Sequence, residues 1–186
     1  TPVWMESEAV VYVDSKDGSD SNTGASPDDA FRTLNHAIQV LDAMEAGDRT
    51  VKIVGEYEWT STTSEPMAEH TNPITIEGNT GSGTDKLTVP AGQGIVNING
   101  QLTIDNIDIA FGSAGWHIAA YGHELVLGEG VSVVSNPLDL ITGSYYHHDG
   151  INRENRHSVT VRGGSWGKVW LGESVLGSSW NLREVK

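Results

Sequence analysis

The chain contains no cysteine, so neither a disulfide framework nor thiol chemistry is open to it. Basic residues are scarce: 11 Lys and Arg stand against 25 Asp and Glu, a formal charge of −14. That imbalance argues against nucleic acid or an anionic membrane as partner, since both are bound through clustered positive charge. It favours solubility and neutral or cationic partners. No apolar run approaches the roughly 20 residues of a spanning helix, so no membrane insertion of that kind is expected. Nucleophile elbow, phosphate-binding loop and dinucleotide fingerprint are all missing. So is a helical His-x-x-x-His, and adjacent His147 and His148 would point to opposite sides of a strand. A zinc site of His147, His148 and His157 therefore has little support. A flat ice-binding face would need a recurring Thr-x-Thr pattern, and Thr60-Ser-Thr-Thr-Ser64 occurs once.

What is present is turn chemistry between short apolar runs. A length of 186 residues suits one domain with a real core, and 22 glycines lie largely between those runs. From Ala30 to Met44, apolar residues recur at three and four: Ala30, Phe31, Leu34, Ala37, Ile38, Leu41 and Met44. That period predicts one amphipathic helix. Ser26-Pro27-Asp28-Asp29 supplies starting signals, Thr33 a later cap, and Gly47 a C-cap. After Asp48 the pattern is β, with strands expected at Val51–Val54, Ile74–Glu77, Leu87–Val89, Ile95–Ile98, Leu102–Phe111, Ile118–Tyr121, Leu125–Val134, Leu138–Ile141, Val159–Val161 and Val169–Leu171. Leu102–Ile109 and Leu125–Val133 share a strand-kink-strand layout. Leu102 and Leu125 lie 23 positions apart and Ile107 and Val131 lie 24 apart, while Ile74 precedes Leu102 by 28 and Val159 follows Leu125 by 34. Coils of about 22–25 residues with loops inserted at fixed corners are what a parallel solenoid requires. Leu102, Ile104, Ile107 and Ile109 are the inward residues of one such coil. The competing architecture is an antiparallel sandwich with strands every 8–12 residues.

The opening stretch carries a resemblance. Tyr12, Val13, Gly18, Ser19, Asp20, Asn22, Gly24, Ser26, Phe31, Thr33, Leu34, Ala37 and Ile38 follow the pattern that opens many secreted right-handed parallel β-helix proteins of bacterial cell surfaces, the pectate-lyase-like superfamily. The resemblance implies an all-β fold: a short right-handed parallel β-helix of about five to six coils with an N-terminal capping α-helix. It implies a single domain over 1–186, divided into strand, loop and capping helix at 1–48 and coils at 49–186, with a loop inserted at 143–157. It also implies an extracellular or cell-surface location and membership of a larger surface protein. Coils rise by about 4.8 Å, so such a stub is on the order of 25 Å long. That is short for the long groove of a polysaccharide depolymerase.

Candidate functional residues fall in three groups. Asp14, Asp17, Asp20 and Asn22 have the composition of a calcium loop, since hard cations want clustered oxygen ligands, but they lack the closing glutamate of an EF-hand. Their alternative role is to order the turn by side-chain-to-backbone bonds. Calcium is the one cofactor this chain would take, if it takes any. The polar, aromatic segment 144–157 is an insertion of the kind in which function concentrates. Tyr145, Tyr146, His147, His148 and Asp149 suit a sugar, and Arg153 and Arg156 an acidic one. Trp116, Tyr121, Trp166 and Trp170 add aromatic planes for pyranose stacking, though Trp166 and Trp170 equally suit the end of a core. Lastly, Asp105, Asp108 and Glu129 align in adjacent coils as the best catalytic carboxylates, with Arg156 as the base a lyase would need. Asp105 and Asn106 sit in the kink, where such residues also form structural ladders. The expected function is a non-catalytic carbohydrate-binding or adhesin-type module for a polysaccharide or glycan. The alternatives are a minimal or truncated polysaccharide lyase or glycoside hydrolase of the β-helix class, and a purely structural spacer.

Overall fold

The computed structural model describes residues 8–59, 67–90, 95–112, 117–119, 123–134, 140–142, 158–164 and 168–170. These are mostly β, in parallel sheets, with one α-helix. A first sheet of six strands holds β1 (Glu8–Val13), β2 (Asp48–Ile53), β4 (Ile74–Gly78), β7 (Leu102–Asp105), β10 (Glu124–Leu127) and β13 (Ser158–Val161), side by side in that order. A second holds β3 (Glu56–Glu58), β5 (Lys86–Val89), β8 (Asp108–Phe111) and β11 (Ser132–Val133). A third holds β6 (Ile95–Asn97), β9 (His117–Ala119), β12 (Leu140–Thr142) and β14 (Lys168–Trp170). From β4 to β12 the chain visits first, second and third sheet in turn, three times over. No helix among the described residues is long and apolar enough to cross a membrane.

The register follows the spacing counted in the sequence. Ile74 pairs with Leu102, Leu102 with Leu125, and Leu125 with Val159, the offsets of 28, 23 and 34. Ser132 pairs with Asp108 at the offset of 24. Because strand side chains alternate, a fixed register stacks like upon like. Val11, Val51, Ile76, Ile104, Leu127 and Val161 form one inward column of the first sheet. Tyr57, Leu87, Ile109 and Val133 form its counterpart in the second. Leu102, Ile104, Ile107 and Ile109 are all fully buried.

Helix α1 (Leu34–Asp42) packs on β1 and β2 and buries Leu34, Ala37, Ile38 and Leu41 in the same core. It is shorter than the expected 30–44. Ser26, Pro27, Asp28 and Asp29 start only a 3-10 turn (Pro27–Asp29), because Phe31 leaves helical geometry to bridge Val13. The operative N-cap is Thr33, whose hydroxyl accepts from the His36 N–H at 3.2 Å. Gly47 is no C-cap: Ala43 holds that place, and the last turn is closed from outside the helix. That closure comes from Arg49, which points inward from β2 and is 8% exposed. Its Nε donates to the Leu41 carbonyl at 3.0 Å and its guanidinium to those of Met44 at 2.7 Å and Gly47 at 3.5 Å. Strand β3 was not expected, and the runs 102–111 and 125–134 each divide into two strands at a corner. At the first of those corners Asn106 takes φ +46°, a left-handed conformation that asparagine tolerates.

Candidate functional site

The 14–33 loop is ordered by its own acids. Asp14 Oδ1 accepts the N–H groups of Lys16 at 2.8 Å and Asp17 at 3.0 Å, a closed Asx turn. Asp20 Oδ1 accepts from the Arg32 and Thr33 N–H groups at 2.9 and 2.8 Å, and its Oδ2 from the Thr33 hydroxyl at 2.8 Å. Asp20 thus holds the residue that caps α1. Asn22 donates through Nδ2 to the Ala30 carbonyl at 2.9 Å. Asp17 stays exposed, 4.0 Å from Lys16. Three of the four candidate calcium ligands are therefore engaged in the turn, and among the described residues no group of three His, Asp or Glu is placed to hold a metal ion.

The pH behaviour of this region has a definite sign. Burial pushes the Asp20 carboxyl up, but hydrogen bonds from Thr33 and Arg32 and the nearby His36 outweigh it, leaving the group below its ordinary 3.8. Asp42 behaves alike: burial raises it, and bonds from Asn72 and Thr71 bring it below 3.8. Both carboxylates stabilise the fold fully above their unfolded value, and that contribution is lost as pH falls through the lower folded value. Urea unfolding at stepped pH should therefore show little change from these groups between about pH 7 and 5 and a decline below about pH 4. Asp20→Asn should make that decline shallower. An acid limb unchanged in the variant would contradict the assignment.

The candidate catalytic acids come together at the corner between first and second sheets. Asp105 ends β7 and Asp108 opens β8, while Glu129 lies in the corresponding link between β10 and β11. Asp105 Oδ1 accepts from the N–H of Asn106 at 2.8 Å and from that of Gly130, in the link between β10 and β11, at 2.9 Å. Gly128 leaves the room: a β-carbon there would lie 2.1 Å from the Asp105 carboxyl carbon. Asp108 accepts from the Ser82 hydroxyl. Glu129 is exposed and packs its stem over Gly163, just after β13. Sequence reasoning missed Asp85, which directly precedes β5 and is 2% exposed. Its carboxylate accepts the N–H groups of Gly55 at 2.7 Å, Thr80 at 2.5 Å and Gly81 at 3.0 Å, and the Thr80 hydroxyl at 2.8 Å. Asp85 and Asp105 do one job: each binds backbone in a neighbouring link between the first and second sheets.

Of the expected ligand-binding residues, Trp116, Tyr121, Tyr145, Tyr146, His147, His148, Asp149, Arg153, Arg156 and Trp166 lie outside the described residues. Trp170 is the last residue of β14, paired with Thr142. Trp59, Phe31 and Phe111 are core residues. The register also gathers Thr50, Thr75, Thr103 and Thr160 on one outward column, which the sequence did not show. Val126 interrupts the column and Thr50 is buried at its end, so it is not an open hydroxyl array. Comparison with protein-family models, curated proteins and solved structures finds no match to this chain.

Proposed function

We propose that the three parallel sheets are the faces of a right-handed parallel β-helix closed at its leading mouth by α1. On this reading the protein is a non-catalytic, extracellular carbohydrate-binding or adhesin-type module of a bacterial surface or secreted protein. The observation that carries the reading is the commitment of the corner carboxylates to coil-to-coil backbone bonds, with Asp85 and Asp105 each holding a neighbouring turn. A scaffold stitched in this way offers rigid corners on which an inserted aromatic and basic segment, 143–157, can meet a glycan. Acidic sugars would pair with Arg153 and Arg156, and neutral rings would stack on Tyr145, Tyr146, Trp116 or Trp166.

A glycan array combined with an ultraviolet assay for unsaturated uronate separates this reading from its rivals. Binding without turnover is the expected result, with Tyr146→Ala and Arg156→Ala weakening it about tenfold or more. Turnover that disappears in Asp105→Ala or Arg156→Ala would instead make the protein a minimal lyase or hydrolase. No binding to any glycan would leave a structural spacer.

A further inference from the structure

Gly100 lies where the backbone passes close against a buried side chain. A β-carbon there would sit 2.4 Å from both Cδ2 and Nε2 of His70, so the position accepts only glycine. His70 is 4% exposed. Its Nδ1 lies 3.1 Å from the Ala68 carbonyl oxygen and its Nε2 lies 3.2 Å from that of Gln101. Its backbone N–H donates to the Asn99 carbonyl at 3.1 Å. The ring therefore covers residue 100 while the His70 backbone holds residue 99.

This packing has a chemical consequence. Requiring glycine at 100 creates the one Asn-Gly step in the chain. In such a step no side chain shields the glycine nitrogen from the preceding asparagine, a thermolabile residue. That nitrogen can attack the Asn99 side-chain carbonyl carbon, forming an N–C bond as ammonia leaves. The product is a five-membered succinimide, which water opens to aspartate or isoaspartate. We propose that Asn99–Gly100 is a latent deamidation site held shut by His70. Attack needs the Gly100 nitrogen and the Asn99 side chain to move together. The His70 ring packed on Gly100, the bond from the His70 backbone and the burial of Ile98 and Leu102 on either side oppose that movement, so reaction waits on local opening. An isoaspartate would add a backbone carbon just before β7 and disturb its register.

The test is peptide mapping by mass spectrometry of the full chain held at mildly alkaline pH, in buffer and in concentrated urea. Aspartate and isoaspartate at position 99 should accumulate in urea and at least about tenfold more slowly in the native chain. His70→Ala, with its fold checked by circular dichroism, should raise the native rate towards the urea rate. Equal rates in buffer and urea, no conversion in urea, or a folded His70→Ala chain no faster than wild type would each overturn the proposal. If His70→Ala does not fold, the buffer-against-urea comparison decides alone.

Discussion

Replacing Ile104 by alanine is expected to remove about 3–4 kcal/mol of stability, whereas Thr103→Ala, one residue earlier, should change it by less than about 0.5 kcal/mol. The contrast follows from register. Ile104 stands in the inward column between Ile76 and Leu127 and is fully buried, so truncation leaves a cavity that neighbours on the two flanking strands cannot fill. Thr103 faces outward on the same strand, half-buried beside Thr75 and Val126. Urea denaturation of the two variants measures the difference directly. Comparable losses at both positions would mean that β7 does not present alternate residues to opposite sides.

The second large effect belongs to Arg49. It occupies an inward position of β2, where Val51 and Ile53 follow it on the same side, yet it carries a charge. The three carbonyls it serves, those of Leu41, Met44 and Gly47, lie in and just after the last turn of α1. A cation there also opposes the negative end of the helix dipole. Arg49→Met should keep much of the packing and still cost about 2–3 kcal/mol, because the buried Leu41 carbonyl and the part-buried ones of Met44 and Gly47 lose their donor. Arg49→Lys should recover less than half of that, since one ammonium cannot reach as a fork does. Thermal unfolding followed by circular dichroism reads both. A methionine variant as stable as wild type would show that α1 holds its place without this closure.

The parallel strands were legible where apolar residues alternate. Leu102, Ile104, Ile107 and Ile109 repeat in Leu125, Leu127 and Val131, and their spacing anticipates the observed register. Strand β3 was not legible, because Glu56-Tyr57-Glu58 has one apolar residue and forms through its pairing with β5. Tyr57 is further fixed by its hydroxyl, which accepts the Leu34 N–H at 3.0 Å. The helix start was misplaced because Ser26-Pro27-Asp28-Asp29 gives true starting signals, and only the bridge between Phe31 and Val13 shows why they stop after one turn. Asp85 and His70 are buried polar residues with backbone partners far away in sequence, at Gly55 and Gln101, while the partners of buried Arg49 lie across the turn that follows α1. Composition cannot reveal such partners. Arg49 alone left a trace, as a charge breaking an inward apolar series. At the candidate site, the loop acids were legible as turn formers, and the corner acids as aligned residues, but not the backbone donors that engage them.

Because the chain lacks cysteine, paired thiols can report its register without interference. Thr75 and Thr103 face each other on β4 and β7, half-exposed, and half-exposed Thr160 lies two strands beyond Thr103 in the same column. A Thr75→Cys/Thr103→Cys chain should be joined within one molecule by a short thiol cross-linker, while Thr75→Cys/Thr160→Cys, about 14 Å apart, should not be. Failure of the first pair, or equal joining of both, would contradict parallel coils stacked in this order.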